Sequence, residues 1–141
     1  MAGDVRRVLF ICTGNSCRSQ MAEALVNARL GAEWRAFSAG THPASHVNPN
    51  ALEVLNEIGI AHEGQSEHVS AYRDAPFDLV VTVCDDAAEN CPIWLGQGHK
   101  VHLGFPDPAK ARGSDEEVLA VYRQVLSEIA EQIPPLLAAH K

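Results

Sequence analysis

One stretch narrows what this chain can fold into more than any other: Val8-Leu9-Phe10-Ile11-Cys12-Thr13-Gly14-Asn15-Ser16-Cys17-Arg18-Ser19. Its four leading apolar residues read as a buried strand, and the glycine-containing segment after Cys12 reads as a tight turn. Met21, Leu25 and Ala28 then recur at helical spacing, with Gly31 as a stop. A strand, a turn and a helix in that order make half of a βαβ unit.

A turn of this kind is suited to an oxyanion. Successive backbone N–H groups from Thr13, Gly14, Asn15, Ser16 and Cys17 form a concave nest, and the helix start adds its own unpaired donors and positive dipole end. Arg18 can hold two oxygens of an anion with its planar fork, a geometry lysine does not offer. The same field favours the thiolate form of Cys12, and Ser19 is placed to donate a hydrogen bond to it. Asn15 tolerates the left-handed backbone a nest requires. Cys17 lends the nest its backbone, while its side chain reads as a small packing residue. The plain alternative is a buried strand-end cysteine before an ordinary helix start. Strand, turn and helix occurring together favour a nucleophile facing a bound oxyanion.

The remaining chain alternates in the same way. Trp34 to Gly40 reads as a second strand and Thr41 to Val47 as a loop. A helix opens at Asn48-Pro49, presents Ala51, Leu55 and Ile58 on one face and closes at Gly59. Residues 61–76 read as loop with one helical turn. Phe77 to Cys84 is the most β-like run and looks buried on both faces. A long connection, 85–98, leads to a short strand over Lys100 to Gly104 and a turn at Phe105-Pro106-Asp107-Pro108. Ser114 to Glu117 is a capping box. The helix behind it carries Val118, Tyr122, Val125, Ile129 and Ile133 on one stripe, and Pro134-Pro135 is expected to kink or end it. Strands alternating with helices predict a single α/β domain over 1–141, with a parallel sheet and helices on both faces. Ligands of such sheets sit beyond the carboxyl ends of the strands, where Cys12, Cys84 and Asp107 all fall.

At 141 residues the chain can bury a core without staples, and its net charge of −7 argues against nucleic acid or an anionic membrane as partner. It lacks an apolar run of about 20 residues or a signal peptide, so the expectation is a cytoplasmic monomer. Four cysteines in that setting point to redox, metal or catalytic use.

The string from Cys12 to Glu23, Cys-Thr-Gly-Asn-Ser-Cys-Arg-Ser-Gln-Met-Ala-Glu, resembles the phosphate-binding loop of the low-molecular-weight tyrosine phosphatase superfamily, and within it the thioredoxin-coupled arsenate reductases. The Cys84-x6-Cys91 segment is similar to the thiol pair those reductases carry after their third strand. The resemblance implies a four-stranded parallel sheet in the order 2-1-3-4, which makes the strands ending at Cys12 and Cys84 neighbours, about 5 Å apart across the ladder. It further implies arsenate as substrate, with phosphate or sulfate as analogues, Cys12 as nucleophile, Cys84 and Cys91 as resolving thiols, Asp107 as general acid, and thioredoxin as reductant. Some relatives hold a potassium ion behind the loop, and by position Asn15, Glu23, Ser38 and Glu67 would be its oxygen ligands. The competing reading of Glu23 is a helix-surface carboxylate.

Two other functions compete. Phosphatases of the superfamily flank the phenyl ring of phosphotyrosine with aromatic residues after the acid, whereas Asp107-Pro-Ala-Lys-Ala has none. Phosphomonoester hydrolysis through a cysteinyl-phosphate is therefore the runner-up. Cys84, Cys91, His99 and His102 could instead form a zinc site in a non-enzymatic module, although the spacing is unlike common structural zinc pairs. His42, His46, His62 and His68 read as surface loop residues.

Overall fold

A computed structural model of the chain describes residues 5–15, 17–84 and 98–140. Its strands are β1 (Arg6–Cys12), β2 (Trp34–Gly40), β3 (Leu79–Thr82) and β4 (His99–His102), and its α-helices are α1 (Arg18–Arg29), α2 (Pro49–Glu57) and α3 (Asp115–Ala139). Two 3₁₀ turns lie at Val69–Tyr72 and Pro108–Lys110. The strands form one sheet in the order β2-β1-β3-β4, with every neighbouring pair parallel. Both the order and the parallel pairing are those the sequence and its resemblance led to. The connection 85–97, Ser16 and Cys91 lie outside the described residues.

β1 is central, and its Val8 to Cys12 segment is buried throughout. One face of the sheet, with Val8, Phe10, Cys12, Val81 and Cys84, shares a core with α1, α2 and α3. The opposite face, with Leu9, Ile11 and Val80, packs against Phe37, Phe77 and the first 3₁₀ turn. The first two turns of α1 are buried almost all round, from Arg18 to Val26 with Glu23 half-buried. The polar residues there must therefore find protein partners.

Local signals set three of the six α-helix ends. Asn48 caps α2 through its side chain, Gly59 follows it at a positive φ of 80°, and Ser114 and Glu117 close a reciprocal capping box at α3. One expectation fails, and of the two outcomes expected at Pro134-Pro135, a kink or an end, the end does not occur. Ile58 is the C-cap residue of α2 and is 41% exposed, so it does not belong to the apolar face. Pro134-Pro135 do not end α3, which runs on to Ala139. Leu137, fully buried one turn later on the Ile129–Ile133 stripe, returns the chain to the core, and that packing outweighs the hydrogen bonds the prolines forfeit. β3 covers only Leu79–Thr82 of the expected Phe77 to Cys84 run, and β4, at His99–His102, starts one residue before the expected Lys100 to Gly104 strand and ends two residues short of it.

Candidate active site

β1 ends in Cys12, a residue 2% exposed whose Sγ lies 2.9 Å from the Ser19 hydroxyl. That hydroxyl donates in turn to Asn15 Oδ1 at 2.7 Å. Ser19 has one proton and two acceptors to serve. While Cys12 is a thiol, its S–H can donate to Ser19 and the chain of donors runs to Asn15. A thiolate instead competes with Asn15 for the serine proton.

Asn15 sits at φ 48°, the left-handed backbone expected of it. Its carbonyl oxygen accepts from Gln20 Nε2 at 3.1 Å and Ser66 Oγ at 2.9 Å. Gln20 also donates to the Gln65 carbonyl at 2.9 Å. The loop is thus fastened from behind by residues 62–67, none of which the motif itself reveals. Gly40, at the end of β2, completes the fastening: a Cβ there would run into the backbone carbonyls of Thr13 and Cys12. Only glycine lets β2 end flush against the loop.

Arg18 is 3% exposed overall. Its Nη1 donates to the Phe105 carbonyl at 3.2 Å and its Nη2 stands 3.8 Å from Asp107 Oδ2. Asp107 caps the second 3₁₀ turn by accepting from the Ala109 N–H at 3.0 Å, and its side chain is 23% exposed. The carboxyl therefore faces the cleft while remaining in touch with solvent. The cleft holds about 320 Å³ and is lined by Cys12, Thr13, Gly14, Cys17, Arg18, Asp107, Ala109 and Lys110. Cys12, Arg18 and Asp107 are thereby brought together. Lys110 was not singled out from sequence, since only the 3₁₀ turn places it on the cleft.

Cys17 reaches from the loop into the core, its Sγ 3.6 Å from the Tyr122 hydroxyl on α3. Burial raises the tyrosine's pKa and keeps that hydroxyl protonated. This is the packing role expected of Cys17.

Cys84 is fully buried and disulfide-bonded, while Cys12 carries a thiol. Ile11 pairs with Thr82, so continuing the register sets Cys12 beside Val83 and Cys84 one residue further on. The two cysteines are diagonal rather than directly opposite, yet both project into the same apolar cluster. A zinc site on Cys84 is not supported, because a disulfide sulfur offers no thiolate. In addition, His102 Nδ1 is engaged with Thr82 Oγ1 at 2.8 Å. His99 stacks near His140, its ring centroid 5.2 Å away.

Behind the loop, Glu23 is not the surface carboxylate of the competing reading. Its side chain is 19% exposed, accepts from Ser38 Oγ at 3.0 Å and lies 3.6 Å from His62 Nε2. Burial, more than any other cause, pushes its carboxyl up to about 7; Ser38 works against this and the charge of Glu67 adds to it. His62 is likewise no surface residue: its ring is 9% exposed and hydrogen-bonds Gln20 Oε1 at 2.8 Å. Burial lowers its pKa, so near neutrality this carboxyl–imidazole contact tends to be uncharged on the histidine side. Asn15 Oδ1 is taken by Ser19, and the Glu67 carbonyl accepts from the Gly40 N–H at 2.8 Å. His42, His46 and His68 are exposed, as expected.

Residues 7–141 match the family model described as low molecular weight phosphotyrosine protein phosphatase. A protein named arsenate reductase from Halalkalibacterium halodurans is 49% identical over 127 residues, covering 89% of this chain and 91% of that one. Among solved structures, an arsenate reductase from Archaeoglobus fulgidus superposes with a TM-score of 0.78 at 35% identity, over 93% of this chain and 98% of that one. A thioredoxin-dependent arsenate reductase from Corynebacterium glutamicum gives a TM-score of 0.64 at 26% identity, over 99% of this chain and 65% of that one. Among the described residues no helix is long and apolar enough to cross a membrane.

Proposed function

Since the chain belongs to the low molecular weight phosphotyrosine protein phosphatase family, and its relatives of high identity are arsenate reductases, we infer that it is an enzyme that reduces arsenate to arsenite. We propose further that it does so by a relay of three thiols with thioredoxin as the final reductant. The observation that carries the relay is the pair of sulfurs, Cys12 and Cys84, projecting into one buried cluster at neighbouring strand ends, one as a thiol and the other in a disulfide.

In this mechanism the Cys12 thiolate attacks arsenic of the bound oxyanion. An S–As bond forms and an As–O bond breaks, the departing oxygen taking a proton from Asp107. Arg18 and the backbone N–H groups of the nest stabilise the charge on the remaining oxygens. The Cys84 thiolate then attacks the Cys12 sulfur. The S–As electron pair stays with arsenic, reducing it to arsenite, and a Cys12–Cys84 disulfide remains. Cys91 attacks Cys84, expels Cys12 as thiolate and leaves a Cys84–Cys91 disulfide. A thioredoxin dithiol, at about −270 mV, returns the two electrons.

Potassium is the remaining expectation. Glu23, Ser38 and Glu67 offer two carboxylates and a hydroxyl, a donor set suited to a hard cation. Burial raises the cost of ionising Glu23 and the charge of Glu67 adds to it, a cost that a cation bound between them would offset. Asn15 fits less well, its side-chain oxygen being engaged by Ser19. The bound ion would supply a fixed positive charge behind the cup.

The test is thioredoxin-dependent NADPH consumption with arsenate, run beside p-nitrophenyl phosphate hydrolysis. Cys84→Ser and Cys91→Ser should each abolish reductase turnover while sparing phosphomonoester hydrolysis, which needs only Cys12, Arg18 and Asp107. Full reductase activity without either thiol would sink the relay.

A further inference from the structure

We propose that Lys110 is a second oxyanion-binding cation of the site, selecting a small inorganic dianion over aryl esters; this rests on the arsenate reading above. The backbone carries the first part of the case. Pro108–Lys110 form a 3₁₀ turn capped by Asp107, with Pro108 buried and the Lys110 N–H bonded to the Asp107 carbonyl at 3.3 Å. Asp107, the cap of that turn, and Lys110, its last residue, both line the cleft in which Asp107 stands 3.8 Å from Arg18.

Charge and chemistry carry the second part. The chain has a net charge of −7, so an incoming dianion meets a repulsive surface except where cations are focused. Arg18, at the base, is buried and already engaged with Phe105 and Asp107. Lys110 is exposed at the rim, lines the same cleft, and its ammonium forms no ion pair among the described residues. A flexible ammonium there can reach the outer oxygens of an anion seated on the nest. Where an aryl ester would present a ring, Ala109 and Lys110 present a methyl and a charge, which stabilises an ionised oxygen and offers a ring little to stack on. The product, arsenous acid, is neutral near pH 7, so the same cation favours the substrate over it.

Lys110→Gln, Lys110→Arg and Lys110→Glu decide the matter, with inorganic phosphate as a non-reacting probe titrated calorimetrically in the absence of thioredoxin. Lys110→Gln should weaken phosphate binding and raise the KM for arsenate by a common factor of about five to ten, with the loss in KM rather than kcat. Lys110→Arg should recover most of it, and Lys110→Glu should lose more. The salt dependence of kcat/KM should flatten in Lys110→Gln. Unchanged phosphate affinity in Lys110→Gln overturns the proposal, and so does a KM change without a matching change in phosphate affinity. Phosphate affinity falling as expected in a protein that shows no arsenate reduction would instead overturn the functional reading and leave the lysine's role standing.

Discussion

The base of the cleft buries the side chains of Cys12, Asn15, Arg18 and Ser19, whereas its rim leaves the carboxyl of Asp107 and the ammonium of Lys110 in reach of water. The two walls belong to one site but answer to different physics. At the base Cys12, Ser19 and Asn15 are held to one another and Arg18 to the buried Phe105 carbonyl, so removing one strands its partner and costs structure along with activity. At the rim the groups are held by a short capped turn, and solvent can replace what a mutation removes. Damage there should cost activity or anion affinity without costing stability.

The sharpest way to break this contrast is Arg18→Lys. Lysine keeps the charge but cannot bridge the oxyanion, the Phe105 carbonyl and Asp107 with one planar group. The expected loss in kcat/KM is on the order of 10³-fold, accompanied by a fall in Tm, because the Phe105 carbonyl is left buried without its donor. A loss below tenfold, or an unchanged Tm, would show that the base is no more tightly built than the rim. Asp107→Asn is the matching change on the outer wall. Asparagine keeps the acceptor that caps the Ala109 N–H but holds no transferable proton, so adduct formation should slow by about 10²-fold. Tm and phosphate affinity should stay where they were. A lowered Tm would erase the distinction.

Legibility in the sequence follows the same division. The base is contiguous: strand, nest, arginine and serine succeed one another within twelve residues, and each has a local physical signature. Asp107 was legible only through its place after the fourth strand and the family resemblance. The parts that were missed are those that depend on distant chain. Nothing near Gln20 or His62 announces that they meet, yet they hydrogen-bond at 2.8 Å across the back of the loop. The prolines of α3 argue locally for a helix end, and the burial of Leu137 overrules them. Gly40 reads from sequence as a turn, but its need is steric, set by carbonyls from another strand's exit. Gly40→Ala should therefore displace the nest and cost about tenfold in phosphate affinity, on the order of 1.4 kcal/mol. Titration with phosphate would expose a tolerated methyl as a failure of that steric account.

The smallest expected effect lies behind the base, where Glu23 couples the cup to pH. Its carboxyl is pushed up to about 7 in the folded protein, chiefly by burial, and takes its ordinary value of 4.5 once unfolded. Between those values the native state binds a proton that the unfolded chain does not, so stability falls as pH rises through that window. The contribution is fully present below about 4.5 and gone above about 7. At 1.36 kcal/mol per pH unit the window is worth at most about 3 kcal/mol, and the residual exposure of the side chain brings this to about 2 kcal/mol. His62, its pKa lowered by burial, has the opposite sign: its contribution is present above about 6.5 and lost as pH falls. Glu23→Gln isolates the carboxyl, because glutamine keeps the acceptor for Ser38 and leaves His62 in place. Denaturant unfolding should find the two proteins alike at pH 5 and the variant more stable by about 2 kcal/mol at pH 8. Potassium added at pH 8 should close that gap by stabilising the wild-type protein, since a cation beside Glu23 removes the cost of its charge. A gap of equal size at both pH values would mean that Glu23 is ionised throughout, and that burial does not hold a proton on it.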